Sequence, residues 1–164
     1  MSVLKILLYP DPLLKEVSKE VSQIDARVDS FIYDLIETMR SSPGVGLAAV
    51  QVGALSRVIA VDVTPRHPGH GLIVLINPVI VSSNGAKTGR EGCLSVPGYT
   101  ANITRAGEVA IKGLDRSGKE VTISSKGLEA VALQHETDHL DGVLFIDRIA
   151  NMKRDLFKRK NFKT

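Results

Sequence analysis

The chain has 164 residues, of which 43% are hydrophobic and 24% charged, with a formal net charge of +3. Domains usually contain about 100–200 residues, so we expect one domain spanning 1–164, and the composition excludes a disordered or membrane-spanning protein. A short apolar run at the start is followed at once by Pro10, Asp11 and Pro12, so we expect no signal peptide and a cytoplasmic location. The single cysteine, Cys93, excludes an intramolecular disulfide.

The first predicted element is a helix that begins after Asp25, a good N-cap, and ends at Arg40, because apolar residues recur between them at helical spacing. Four β-rich segments follow, separated by Gly, Asn, Asp and Pro: residues 56–63, 71–82, 107–115 and 119–124. The last two segments are joined by three turn residues and are predicted to form a hairpin.

A second helix is predicted from Ser125, and Gly142 stands where its C-terminal cap belongs. The predicted fold class is α+β. We expect antiparallel β-strands packed around a central metal-binding helix, an N-terminal helix and a basic C-terminal tail helix within residues 148–164.

Positive charge is concentrated in that tail. Residues 148–164 contain seven basic residues and one acidic residue, a net charge of +6 against +3 for the whole chain. This split indicates a basic arm for an anionic partner, although a solvated chain end has the same composition. Aromatic residues make up only 4% of the chain, which argues against a module that binds nucleic acid by base stacking, so no DNA partner is expected.

The segment QHETDHLDG (134–142) contains the H-E-x-x-H pattern of metal-dependent hydrolases. On a helix this spacing places His135 and His139 on one face, and the apolar stripe before them indicates that both point inward. Buried polar groups need partners, and a metal ion provides one. The alternative is a chance pattern on an ordinary amphipathic helix.

The third ligand does not follow the known continuations of this pattern. One class has another histidine six residues after the second, where this chain has Phe145. Thermolysin-like enzymes use a glutamate, but no glutamate occurs after Glu136.

Other candidates for the third ligand are three aspartates and the cysteine. Asp141 lies on the wrong side of the helix and Asp155 is expected in the solvated tail, whereas Asp147 stays open. Cys93 lies between glycines and a proline, in GREGCLSVPG. Free cysteine is more often a small buried hydrophobe, but beside two histidines it favours a His, His, Cys set with an open fourth position.

A third stretch, GVGLAAVQVG (44–53), combines glycines that suit close approach to a ligand with Gln51, an amide donor among apolar residues. A turn entering a strand, with Gln51 at the surface, is the alternative.

Together GVGLAAVQ, EGCLS and QHETDHLDG closely resemble the three signature motifs of the peptide deformylases, and residues 6–21 are similar to that family's amino-terminal segment. The resemblance implies a hydrolase that removes the N-formyl group from the formylmethionine of nascent polypeptides and releases formate. A metallopeptidase of the H-E-x-x-H type, acting on unformylated peptides, is the alternative.

The resemblance also implies roles for individual residues. It implies one divalent metal ion, Fe²⁺ before Zn²⁺, Ni²⁺ or Co²⁺, held by Cys93, His135 and His139. It implies Glu136 as general base, with the Gln51 side chain and the Leu94 backbone N–H as oxyanion donors. The expected substrate-binding residues are Val45, Gly46, Glu91, Leu128 and Val131.

Two departures from the family affect its partners. Many relatives carry Arg at the position of Thr100, and some have a longer tail that docks on the ribosome. We expect the basic tail of this chain to contact ribosomal RNA phosphates. His67 and His70, in a Pro/Gly turn, are expected to be exposed bystanders.

Overall fold

The computed structural model describes residues 2–159. Its strands are β1 (Gly46–Ala48), β2 (Val58–Val61), β3 (Ile73–Asn84), β4 (Lys87–Cys93), β5 (Val96–Arg105), β6 (Glu108–Leu114), β7 (Glu120–Lys126) and β8 (Leu156–Lys158). Its α-helices are α1 (Ala26–Arg40), α2 (Gly127–Leu140) and α3 (Met152–Asp155). Short 3-10 turns occur at Pro12–Lys15, Ala49–Val52 and Phe145–Arg148. Helices combined with antiparallel strands confirm the predicted α+β class.

The strands form two antiparallel sheets. One has five strands in the order β1-β2-β3-β6-β7, and the other has three in the order β4-β5-β8. The predicted hairpin is confirmed as β6 and β7, in which Ile111 lies opposite Ile123. Gly118 in its turn has φ +85, a value that glycine adopts without strain.

Helix α1 has the bounds that its sequence predicts. The Asp25 side chain accepts hydrogen bonds from the backbone N–H groups of Arg27 and Val28, which satisfies two of the donors that a helix start leaves open. Its apolar stripe packs in a buried cluster with residues of β1 and β2, and burying each such side chain contributes about 1.5–3 kcal/mol. The fully or nearly buried residues of this stripe are Ile32, Leu35, Ile36 and Met39.

Helix α2 is the predicted central helix. It begins at Gly127 and contacts β1, β2, β3, β6 and β7 of the five-stranded sheet. Its opposite face carries the two histidines, which meet side chains of β4 in the three-stranded sheet. The helix therefore lies between the two sheets, with its histidines facing the three-stranded sheet.

The tail differs from the predicted helix. Among the tail residues that the structure describes, only α3 is α-helical, and the following residues form β8, which pairs with Tyr99–Ala101 of β5. Phe157 lies under the guanidinium of Arg90, 3.7 Å from the ring centroid, so contacts with β4 and β5 outweigh the local helical tendency. Asp155 is 6% exposed and pairs with Arg154, so it is not solvated as predicted. Residues 160–164 of the predicted tail lie outside the described part of the chain.

Within residues 2–159, no helix combines the length and the apolar character that crossing a membrane requires.

Candidate active site

The structure brings the three predicted ligands together. Cys93 ends β4, while His135 and His139 lie one turn apart on α2. Their ligand atoms are all within 4.8 Å of one another, and all three residues are buried. A register shift between Gly92 and Cys93 in the β4–β5 pairing accompanies the turn that aims the thiol at the helix.

This geometry fits a shared metal ion. The Cys93 Sγ and His139 Nε2 atoms are 3.3 Å apart, which suits two ligands that each lie about 2.0–2.3 Å from one ion. Burial, reinforced by the nearby charges of His135 and Arg105, lowers the pKa of His139 well below its usual value. A neutral imidazole is the form that binds metal.

The ring of His135 is fixed from behind by a buried ion pair. Its Nδ1 lies 3.0 Å from Glu91 Oε1, and Arg105 donates to both carboxylate oxygens of Glu91 at 2.6 and 3.0 Å. Burial opposes ionisation of Glu91, but the hydrogen bonds from His135 and Arg105 outweigh it and lower its pKa. The ionised Glu91 therefore holds the Nδ1 proton and leaves Nε2 to face the cysteine.

Glu136 is a buried carboxyl without a complete set of partners. It is 5% exposed, and its Oε2 has no hydrogen-bond partner within residues 2–159. Burial raises its pKa to about 7, a value suited to a group that both accepts and donates a proton at neutral pH. Gly46 lies against it, and a Cβ at that position would be 2.8 Å from the carboxyl Oε1.

Gln51 is buried at 1% exposure, so the surface position considered from the sequence is wrong. Its Oε1 accepts from the backbone N–H of Ala48 at 2.9 Å, and its Nε2 donates to Ser95 Oγ at 3.0 Å. The same Nε2 lies 3.5 Å from Cys93 Sγ. The amide is thus held in one orientation, with its donor beside the ligand set.

The remaining predicted residues differ in how they pack. Val45 and Leu128 pack against one core cluster that includes Ala132 of α2, whereas Val131 is half-buried and outside that cluster. The Leu94 side chain contacts the segment at Gly44.

Two polar residues of the site were not predicted. Ser95 is fully buried and is the acceptor that orients Gln51; its place in EGCLS was the available signal. Arg105 is 6% exposed. No local pattern marks it, because its partner Glu91 is reached only when β4 and β5 pair.

Similarity to known proteins agrees with this geometry. The sequence profile of the family described as Polypeptide deformylase matches residues 3–155. The peptide deformylase of Thermodesulfovibrio yellowstonii is 52% identical over 164 residues, which cover 100% of this chain and 99% of that protein. That of Syntrophobacter fumaroxidans is 51% identical over 160 residues, covering 98% and 94%.

Solved structures show the same fold. The crystal structure of a peptide deformylase from Legionella pneumophila has a TM-score of 0.87 and 43% identity, covering 93% of this chain and 89% of that one. A peptide deformylase from Ehrlichia chaffeensis in complex with actinonin has a TM-score of 0.87 and 39% identity, covering 94% and 92%. The chain therefore belongs to the peptide deformylase family, the hydrolases that remove the N-formyl group from nascent polypeptides.

Proposed function

We propose that Cys93, His135 and His139 hold one Fe²⁺ ion and that Glu136 carries out the proton transfers of deformylation. The observation that carries this proposal is the buried Glu136, which follows His135 of a buried Cys, His, His cluster. Its pKa is raised to about 7, and one of its oxygens has no hydrogen-bond partner among residues 2–159. A bound divalent ion supplies Lewis acidity, which polarises a carbonyl and makes water a nucleophile at neutral pH.

Glu136 has a role on both sides of the reaction. As a carboxylate it accepts a proton from the attacking water, and as a carboxylic acid it returns that proton to the amide nitrogen. The bond between the formyl carbon and that nitrogen breaks, and the products are formate and a peptide with a free amino terminus.

Gln51 and Leu94 are the proposed donors to the oxygen of the attacked carbonyl. Preorganised donors stabilise the developing negative charge because they need not reorient during the reaction. The hydrogen bonds of Gln51 to Ala48 and Ser95 provide this preorganisation. Its Nε2 lies 3.5 Å from Cys93 Sγ, which supports a donor role beside the proposed ligand set.

The methionine side chain of the substrate is proposed to bind against Val45, Leu128 and Val131. These apolar residues are half-buried, so part of their surface is available to a ligand.

Gly46 would offer backbone groups to the peptide. Because glycine has no Cβ at this position, the Glu136 carboxyl can occupy the adjacent space. Glu91 serves this pocket indirectly, by orienting His135.

The choice of Fe²⁺ rests on likeness to the family, because sulfur and imidazole ligands suit zinc, iron, nickel and cobalt alike. Protein loaded anaerobically with each metal should therefore be compared under identical conditions. We expect the Fe²⁺ form to have the highest kcat/KM and to lose activity in air. Equal activity of the Zn²⁺ form would contradict the assignment of iron.

The decisive test of the reaction is formate release from N-formyl-Met-Ala-Ser by Fe²⁺-loaded protein, compared with its Glu136→Gln variant. We expect kcat to fall by about 10²–10⁴-fold in the variant, the range that general acid–base catalysis contributes, with the bound metal retained. Unformylated Met-Ala-Ser is the control and should stay intact. A variant with full activity and full metal content would exclude Glu136 as the base.

The basic tail is proposed to contact the ribosome, with the enzyme acting in the cytoplasm. Arg148 and Arg154 are paired with Asp138 and Asp155, so the charge offered to RNA comes from the other tail cations. The charge-reversing substitutions Lys158→Glu and Lys160→Glu should weaken ribosome binding at low salt and leave hydrolysis of N-formyl-Met-Ala-Ser unchanged. Unchanged binding would contradict this partner.

A further inference from the structure

Two charged residues without a role in the proposed mechanism lie behind His135. Asp138 follows it by three residues on α2, and its side chain is 14% exposed. Its Oδ2 accepts from Arg105 Nη1 at 2.9 Å and also from Arg148 Nε at 2.5 Å, and its Oδ1 accepts from Arg148 Nη2 at 2.7 Å. Arg148 is the first residue of the tail and ends the 3-10 turn at Phe145–Arg148, and its side chain is 46% exposed.

Asp138 reaches the metal-ligand histidine through two buried groups. The Arg105 side chain, 3% exposed, donates to Asp138 on one side and to both oxygens of Glu91 on the other. Glu91 Oε1 in turn accepts a hydrogen bond from His135 Nδ1. We call Arg148, Asp138, Arg105, Glu91 and His135 the charged network; its first four members alternate in sign.

The network needs Asp138 for a physical reason. A buried guanidinium must have its donors satisfied, and Glu91 takes only the Nε and Nη2 side of Arg105. If the Asp138 carboxylate is removed, the buried Nη1 group of Arg105 loses its anionic partner. A side-chain rotation of Arg105 that restores a partner for Nη1 then becomes more favourable, and this rotation weakens its hydrogen bonds to Glu91. Glu91 then holds His135 less firmly. Partners behind a metal-ligating histidine fix its ring, and their loss typically weakens metal binding by about 10–100-fold.

We propose that Asp138, held in place by Arg148, is a positioning residue that fixes the metal-facing orientation of His135 through Arg105 and Glu91. This inference rests on the metal role proposed above for Cys93, His135 and His139. The proposal adds the turn at Phe145–Arg148 to the elements that position the metal ligands, because Arg148 belongs to that turn.

The test compares dissociation constants for Co²⁺, measured by competition with a chelator, in the otherwise intact protein. Asp138→Asn removes the charge and keeps the shape, and we expect the dissociation constant to rise about tenfold or more. Arg148→Gln should raise it less. Because Arg148 acts only through Asp138, the double variant should match Asp138→Asn alone.

Asp155→Asn is the matched control. Asp155 is a similarly buried aspartate paired with a single arginine, Arg154 at 3.0 Å, and its side chain is 9% exposed. It belongs to the tail, and within residues 2–159 it makes no hydrogen bond or ion pair with the charged network. We expect this variant to bind Co²⁺ as the parent does, even where its metal-free melting temperature falls as much as that of Asp138→Asn.

A second readout follows the histidine itself. In Zn²⁺-loaded protein labelled with ¹⁵N-histidine, the Nδ1 proton of His135 should exchange with water faster in Asp138→Asn than in Asp155→Asn. A general loss of stability would affect both variants alike and would not single out this proton.

The outcomes separate the network from the metal site. A parent protein that binds no Co²⁺ would contradict the metal role itself. A parent that binds it, with Asp138→Asn binding equally tightly or Asp155→Asn weakened equally, would overturn the network alone. If Asp138→Asn does not fold, Arg148→Gln decides, because its exposed side chain is dispensable for folding, and an unchanged constant there would overturn the proposal.

Discussion

Gly46 shows how one missing side chain shapes the site. A Cβ at this position would lie 2.8 Å from both Cγ and Oε1 of Glu136, and Glu136 is buried and cannot easily move. The backbone of β1 therefore passes the carboxyl at a distance that only glycine permits.

We predict that Gly46→Ala displaces the Glu136 carboxylate and lowers kcat for formyl-peptide hydrolysis by about 100-fold, the cost of misplacing a reacting group by about 1 Å. Metal content should stay unchanged because no ligand is altered. Gly98→Ala is the control, since a Cβ at Gly98 would have no atom of the described residues within 4 Å, its two chain neighbours aside. Equal activity of the two variants would show that Glu136 adapts to the added methyl group.

At the scale of single elements, the end of α2 depends on Gly142. This residue has φ +72, and a Cβ there would be 2.4 Å from the backbone oxygen of Lys15. The glycine thus allows the chain to leave the helix that carries both histidines and to pass the 3-10 turn at Pro12–Lys15 closely.

We predict that Gly142→Ala lowers the free energy of unfolding by about 2 kcal/mol or more, because the left-handed backbone alone costs a non-glycine residue about 1–2 kcal/mol and the contact with Lys15 adds to it. Urea denaturation of the metal-free protein measures this. Gly89→Ala, where space is open and φ is not positive, should change stability far less, and a similar loss in both would contradict the argument.

The start of α2 is tied to the connection between β2 and β3 by Glu129. This buried carboxylate accepts from the Ser125 hydroxyl at 2.8 Å, from the backbone N–H of His70 at 2.6 Å, and pairs with the His70 ring. His70 is therefore an anchor of its loop, not the bystander expected from the sequence. Burial opposes ionisation of Glu129, but the hydrogen bonds from His70 and Ser125 outweigh it and lower its pKa.

A carboxyl with a lowered folded-state pKa stabilises the fold above its unfolded pKa of about 4.3, and that stability is lost as pH falls through the folded-state pKa. We predict that the difference in unfolding free energy between parent and Glu129→Gln shrinks as pH falls below about 4.3. Denaturant titrations across this range measure it. For Glu20→Gln, at the exposed surface, the difference should be small at every pH. If the difference in unfolding free energy between parent and Glu129→Gln grew on acidification, the predicted direction of the pH dependence would be wrong.

At the scale of the whole molecule, the candidate metal centre connects two sheets. Cys93 belongs to the three-stranded sheet, and the histidines lie on the helix that packs on the five-stranded sheet. A ligand set spread over two units forms only in the folded chain, so metal binding adds to folding stability.

We predict that a chelator lowers the melting temperature and that metal at about 100 times its Kd restores about 2.7 kcal/mol of stability. Differential scanning calorimetry with and without metal measures this. Cys93→Ala should lose most of the metal-dependent shift. The same shift in parent and variant would mean that the stabilising ion binds elsewhere.

Local sequence determined the elements whose stability is local. The Asp25 cap and the apolar spacing after it predicted α1 to the residue, and two β-rich segments joined by the turn residues 116–118 predicted the β6–β7 hairpin. The H-E-x-x-H spacing placed both histidines on one face of α2, since residues four apart on a helix lie one turn from each other. Together with the motifs at residues 44–53 and 89–98, these signals were sufficient to indicate the family.

Only the tertiary structure decided the strands β4 and β8, the pKa of Glu136 and the contacts of Asp138, because each of these depends on groups that are distant in sequence. Strand β4 exposes most of its residues and turns Glu91 and Cys93 inward, so it has no apolar alternation, and its pairing with β5 is what makes it a strand. The tail became β8 through the same kind of pairing. Burial, which raises the pKa of Glu136, and the contact of Asp138 with Arg105 and Arg148 likewise exist only once the sheets and α2 have packed together.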